Sequence, residues 1–301
     1  MKMSWGRGLG GLFAILLAGL SVSAARADLI YVTNAGNGMI GEYTTAGAAV
    51  NAALLTGLSS PYGIAVSGSS LFIAEQSSGK VDEYNAATLK LLASISGLNS
   101  PAGVAVSSSR LFVAEEGAGK IDEYDATTLK LLVSISGLSS PAGVAVLGSS
   151  LFVAEQGSGK VDEYDATTLK LLASVSGLNS PAGVAVSGSS LFVVNSGNGT
   201  IDEYDATTLK LVKAGRVTGL GGGPYGIAVS GAGLFVVNNG SGTIGEYDAA
   251  TGAVVNPALL TGLSSPRFLA IAPVVIPEPS TLALLGAGLA GLAFRRYRRI
   301  G

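Results

Sequence analysis

The 301-residue chain contains no cysteine and no histidine. Without cysteine it has neither disulfide staples nor a thiol nucleophile, and without both residue types the usual zinc sites are excluded. The lack of histidine removes the side chain most often used as a general base near neutral pH. Charge is scarce, at 13% of residues, against 48% hydrophobic. That balance is too apolar for a disordered chain, and the helix-period charge patterning of a bundle is missing. The charge is also uneven: setting aside seven basic residues and one acidic residue at the two ends leaves residues 28–277 with 11 basic and 19 acidic side chains, net −8. Binding to phosphate backbones needs a basic surface, so nucleic acid is not an expected partner.

The ends read as address signals. Residues 1–27 begin with Lys2 and Arg7, pass through the apolar run LGGLFAILLAGL and finish with Ala25-Arg26-Ala27. This is the order of a secretory signal peptide, with cleavage expected after Ala27. Its apolar core falls short of the ~20 residues a spanning helix needs. At the other end Pro277-Glu278-Pro279 precedes an apolar stretch from Thr281 to Phe294, closed by Arg295, Arg296, Arg298 and Arg299. A basic cluster after an apolar segment acts as a stop on the cytoplasmic side. Counted from Val274, the low-charge stretch is long enough to span a bilayer as a transmembrane helix.

Pro-Glu-Pro, apolar helix and basic end, in that order, resemble the PEP-CTERM sorting signal of Gram-negative, exopolysaccharide-producing bacteria. The resemblance implies export across the inner membrane, recognition by an exosortase, cleavage near Pro277–Pro279, and delivery to the cell surface or the extracellular matrix. The expected organisation is a signal peptide over 1–27, a folded body over 28–273 and a sorting or anchor segment over 274–301.

Between the ends the chain writes one block repeatedly. Pro141–Ser180 keeps 31 of 40 positions of Pro101–Ser140, and the leading proline recurs at Pro61, Pro101, Pro141, Pro181, Pro224 and Pro266. Each block holds four runs suited to strands, in the middle copy GVAV, LFVAE, KVDEY and LKLLASV, separated by Gly, Ser and Asx turns. Four strands in a period of 40 to 43 residues predict an all-β, six-bladed β-propeller. The body opens on a second-type strand (LIYVTN) and closes on a lone first-type strand (PRFLAIAP). The carboxy-terminal strand is therefore expected to complete the first blade and remove the open sheet edges. An open solenoid would instead need polar caps at its ends.

LIYVTN and LFVVN, each followed by a Gly-rich turn and an IGEY or IDEYD run, resemble the YVTN and NHL-like propeller repeats, including the streptogramin B lyase-like group. The resemblance spans about residues 29–273 and implies the fold. It implies little about activity, because propellers host unrelated functions. The catalytic histidine of streptogramin lyases has no counterpart here.

Candidate sites come from positions repeated in every blade and from positions where the blades disagree. The second strands end in Asn34, Glu75, Glu115, Glu155, Asn195 and Asn238, a set of oxygens suited to calcium or another divalent cation. A metal-dependent, lactonase- or lyase-like enzyme would have to use Glu75, Glu115, Glu155 and the Asn residues, the only repeated candidates. Each Glu, however, is followed five residues later by Lys (Lys80, Lys120, Lys160), and each Asn by Met39, Thr200 or Thr243. Glu and Lys change together, which favours a cross-strand ion pair over a cation site. No cofactor is otherwise expected.

The Asp-Glu pairs at 82–83, 122–123, 162–163 and 202–203 repeat too often for a catalytic pair and read as solvated or turn-supporting. Asp125, Asp165 and Asp205 read as turn formers. Lys90, Lys130, Lys170 and Lys210 are expected on the outermost strands, where charge discourages edge pairing. Symmetry is broken at Tyr62, Tyr225 and Arg267, where the middle copies have alanine. These side chains are expected to crowd the central mouth, filling it or, with nearby Asn amides, holding a sugar ring or an anionic group. A non-enzymatic binding or structural module of an extracellular polysaccharide matrix is the favoured function.

Overall fold

The computed structural model describes residues 28–272. Twenty-four strands, from β1 (Leu29–Asn34) to β24 (Pro266–Ala272), form six four-stranded antiparallel sheets. Five blades are built from consecutive strands. The sixth has the order β24-β1-β2-β3, with β2 at Met39–Thr44 and β3 at Ala49–Leu55, so the last strand closes the first blade as the sequence predicts. Leu29 to Val32 pair with Ala272 to Leu269, and a bulge precedes the Asn34–Pro266 pair. Asp28 adds a closing contact by accepting a hydrogen bond from Ser230 Oγ at 2.5 Å.

Continuous apolar runs form the second strands because each blade is covered on both faces. In Ser70–Glu75, Leu71 and Ile73 face the preceding blade, while Phe72 and Ala74 pack with Val104, Leu111 and Val113 of the next. The core is thus a set of inter-blade layers repeated around the ring.

The inner strands approach so closely that a side chain cannot stand between them. A Cβ at Gly63, Gly103, Gly143, Gly183 or Gly226 would strike the backbone carbonyl of the next blade's inner strand. The closing strand carries Phe268 at this place. Here Thr33, where the other blades have Ala or Val, donates its hydroxyl to the Tyr62 carbonyl at 2.7 Å and accepts from Phe268 N–H at 2.9 Å. A side chain thus stands at this junction where the others have glycine, and the Thr33 hydroxyl bridges its two strands.

Turns follow the repeated Asx chemistry. The Asp165 carboxylate accepts from Thr167 N–H, Thr168 N–H and Thr168 Oγ1, and Asp125 and Asp205 do the same in their blades. One expectation is corrected: Lys90, Lys130, Lys170 and Lys210 lie in the turn just before the outermost strands, which begin at Leu91, Leu131, Leu171 and Leu211. The preceding Leu89, Leu129, Leu169 and Leu209 take left-handed conformations that hold the chain in the turn for one residue longer.

Candidate functional site

The second residues of the inner strands ring the axis near one face, in the order Arg267, Tyr62, Ala102, Ala142, Ala182, Tyr225. Three large side chains are neighbours across the seam, and three alanines face them. The structure brings Tyr62, Tyr225 and Arg267 together as the broken symmetry suggested. The tyrosine rings meet edge to face with centroids 5.5 Å apart, and their hydroxyls share a 2.7 Å hydrogen bond. Phe268 packs on both at 5.9 and 5.5 Å. Tyr62 and Tyr225 are only 4% and 6% exposed, so they plug the channel and leave little ring face for a sugar to stack on. Burial pushes both phenols above their ordinary range, which keeps them neutral.

Arg267 lies over this plug, its guanidinium carbon 4.9 Å from the Tyr62 centroid and 5.4 Å from that of Tyr225. Such double cation–π contact fixes the charge in place. Its one hydrogen bond among the described residues runs from Nη1 to the Tyr62 hydroxyl at 3.4 Å. Nε is buried without an acceptor, and no described carboxylate lies within ion-pair distance.

The residues just past the second strands, Ala35, Gln76, Glu116, Gln156, Ser196 and Asn239, lie on the same face, each donating its N–H to the carbonyl of the residue just before an inner strand. Sequence reasoning missed them, although their variation from blade to blade is the same signal that marked Tyr62 and Tyr225. Gln76 Nε2 donates to Glu116 Oε2 at 3.0 Å, and Asn239 Nδ2 to the Pro266 carbonyl at 2.9 Å. Burial raises the Glu116 pKa, with the through-space attraction of Arg267 opposing it. A groove of about 460 Å³ lined by Gln76, Ser77, Ser100, Glu116, Gly117 and Ser140 lies among the loops of the Tyr62 blade and the two alanine-bearing blades that follow it.

The oxygens of Asn34, Glu75, Glu115, Glu155, Asn195 and Asn238 do not converge on the axis. All six residues are buried within their own blades. Glu75, Glu115 and Glu155 accept the backbone N–H of Ser59, Asn99 and Ser139 at 2.5 to 2.6 Å, in the loop that enters the same blade. Asn34 and Asn195 accept from Ser264 and Asn179 N–H at 3.3 Å. Glu and Asn interchange because either supplies the acceptor that clamps this loop. In the last blade the Gly219–Gly223 loop departs from the repeat, and Asn238 Oδ1 is left without a partner among the described residues. No group of three or more acidic residues placed to hold a metal occurs among the described residues.

The expected cross-strand alignment holds in register, with Glu75 opposite Lys80, Glu115 opposite Lys120 and Glu155 opposite Lys160. Among the described residues an ion pair forms at Lys120, whose Nζ is 2.9 Å from both Glu115 and Asp122. Burial raises the pKa of all three Glu carboxyls, with the neighbouring Asp82, Asp122 or Asp162 adding to it. In the fifth blade, where Asn195 stands in place of the Glu, its amide donates to Asp202 at 2.8 Å.

The Asp-Glu pairs are also corrected, because most of their carboxylates are buried rather than solvated. Serines from the flanking strands satisfy them: Ser94, Ser134 and Ser174 donate to Asp82, Asp122 and Asp162. Ser70, Ser150 and Ser190 donate to Glu83, Glu163 and Glu203. Arg110 takes the serine's place as the partner of Glu123. The repeated carboxylates are structural cross-strand acceptors.

Ala27, Pro277, Glu278, Pro279, Arg295 and Arg296 lie outside the described residues, as do the expected signal peptide and transmembrane helix. Residues 275–299 match the PEP-CTERM protein-sorting motif. That match covers the sorting segment alone and points to export, recognition by an exosortase and membrane-associated sorting. No curated protein matches in sequence. Among solved structures, a chain of a nidogen/laminin complex superposes with a TM-score of 0.68 at 16% identity, covering 82% of this chain and 98% of that one. Virginiamycin B lyase from Staphylococcus aureus superposes with a TM-score of 0.57 at 16% identity, covering 69% and 73%. The computationally designed Ika8 protein gives 0.56 at 17% identity, covering 79% and 74%. At these identities the likeness is one of fold.

Proposed function

We propose that this chain is an exported, surface-sorted propeller whose axial mouth binds an acidic sugar residue of an extracellular polysaccharide, without covalent chemistry. The observation carrying this reading is Arg267, a guanidinium held over two aromatic rings with no carboxylate partner among the described residues. A planar fork of donors suits a carboxylate, and the bordering Gln76, Gln156, Ser196 and Asn239 suit hydroxyl groups. In this reading the sugar engages Arg267 and the polar border rather than stacking on the buried tyrosines. Cleavage after Ala27 releases the folded body 28–273 from the inner membrane of a Gram-negative cell. An exosortase then processes the tail near Pro277–Pro279 and leaves the ring at the cell surface or in the matrix.

Calorimetric titration of the purified protein with oligouronates and with neutral oligosaccharides of equal length tests the binding. Preference for the acidic series is expected, and Arg267→Gln should weaken it roughly 10- to 100-fold, the worth of a charge-assisted hydrogen bond. Equal binding of both series, or none, would refute the reading. Mass spectrometry of the protein recovered from producing cells checks both processing sites.

A further inference from the structure

All but one of the exposed large hydrophobic side chains among the described residues lie on the outermost strands of the blades. Leu91 and Leu92, Leu131 and Leu132, and Leu171 and Leu172 are each 53 to 57% exposed, where a folded chain would ordinarily place polar residues. Each outermost strand has a single strand neighbour, so one row of its backbone N–H and C=O groups is also unpaired within the sheet.

The six edges are not alike. On Leu211–Val217, Val254–Leu260 and β3, the ladder to the neighbouring strand is broken twice by register shifts. Lys213 and Arg216 add charge to the first of these edges, and Pro257 removes a donor from the second. These are the devices by which proteins blunt an edge. Leu91–Ser96, Leu131–Ser136 and Leu171–Ser176 have one shift, at their first residues, and are regular beyond it. They carry no charge and no proline. Three adjacent blades therefore present regular apolar edges, and the other three are guarded.

We propose that the three regular edges are docking sites for a second copy of this chain, paired edge to edge with the contacting strands antiparallel. The occupant must be an uncharged, apolar, extended strand of about six residues, and the chain itself displays three nearly identical ones. Orientation follows from Lys130, which immediately precedes its strand. Parallel pairing would set Lys130 against its own counterpart, whereas antiparallel pairing with Leu131 opposite Ser136 sets it opposite Gly137. A lipid surface fits poorly, because the edges point outward around a ring and a plane meets only one or two of them. Each edge offers two or three aliphatic side chains, far fewer than the roughly 20–30 residues a side of a standard stable interface. A single contact is consequently weak, and association grows through the use of several edges at high local concentration.

The experiment uses the full chain in detergent, so that its apolar tail does not drive association. Light scattering should show a monomer when dilute and a rising mass as concentration approaches roughly 1 mM. The variant Leu92→Lys, Leu132→Lys, Leu172→Lys, checked for an unchanged melting curve, should remain monomeric. Because the chain lacks cysteine, single replacements report contacts without background. A mixture of Leu131→Cys and Ser136→Cys proteins should form more mixed disulfide dimer under mild oxidation than either alone, and Val254→Cys should form none. A constant wild-type mass, equal association of the lysine variant, or equal cross-linking at Val254 would overturn the proposal.

Discussion

Replacing Gly226 by alanine tests whether the ring is held by direct backbone contact between inner strands. Gly226 does not have a positive φ, so alanine brings no conformational penalty of its own. The added Cβ would lie 2.6 Å from the Arg267 carbonyl oxygen and 2.7 Å from Phe268 Cα. A carbon and a carbonyl oxygen normally approach to about 3.3 Å, so β24 must retreat by roughly 0.7 Å. Overpacking of this kind costs about 1–3 kcal/mol. For a domain of this size that lowers the melting temperature by roughly 2–12 °C. Thermal unfolding followed by circular dichroism measures it, with Gly221→Ala as the control because a Cβ there meets nothing within 4 Å. Adding Phe268→Ala should not rescue Gly226→Ala, since the closest obstacles are backbone atoms. A melting point within 1 °C of wild type, or full rescue by Phe268→Ala, would show that the strands do not abut as described.

Thr33→Val removes the hydroxyl bridging Tyr62 and Phe268 and leaves two backbone groups unpaired. A loss of about 1–3 kcal/mol is expected by chemical denaturation, and an unchanged midpoint would argue against a pinned seam. Glu75, Glu115 and Glu155 hold their protons more tightly folded than unfolded. Their contribution is therefore fully present below the unfolded pKa of about 4.3 and is lost as pH rises through the raised folded values. Asp125, Asp165 and Asp205 have lowered pKa values because threonine groups hydrogen-bond their carboxylates. They contribute above the unfolded aspartate pKa of about 3.9, a stability lost as pH falls. Melting temperature measured across pH should therefore decline on the alkaline side of a mildly acidic optimum, and replacing the three Glu residues by Gln should flatten that side. Deleting Pro266–Ala272 removes the innermost strand of one blade and should abolish cooperative unfolding of the whole ring, whereas persistence of a single sharp transition would contradict closure by β24.

The architecture was legible because it is written in periodic marks: six landmark prolines, six second strands, and a lone first-type strand at the end. The burial of Asp82 or Glu163 was not, because the serines that satisfy them are 12 or 13 residues away on flanking strands and look like ordinary turn residues. The exchange of Glu for Asn is visible in the sequence, but its cause is not. The partner is a backbone N–H 16 residues earlier, a group every residue but proline possesses. Tyr62, Tyr225 and Arg267 stood out by breaking the repeat, and their neighbour Phe268 breaks it at the adjoining glycine position. That position becomes interpretable only once the inner strands are seen to touch.

The closing strand has a mechanical side. β24 enters at Pro266 on the face of Arg267 and leaves at Ala272 on the opposite face, where the chain continues toward the sorting segment. A ring held through that tail would present its mouth away from the point of attachment. Tension on the tail would run along β24 and load its ladder to β1 in shear, all bonds together rather than one after another. Resistance to such a pull is set by the rate at which that ladder fails, not by the equilibrium stability of the ring. The strand that completes the circle is thus also the one through which a pull on the tail must pass.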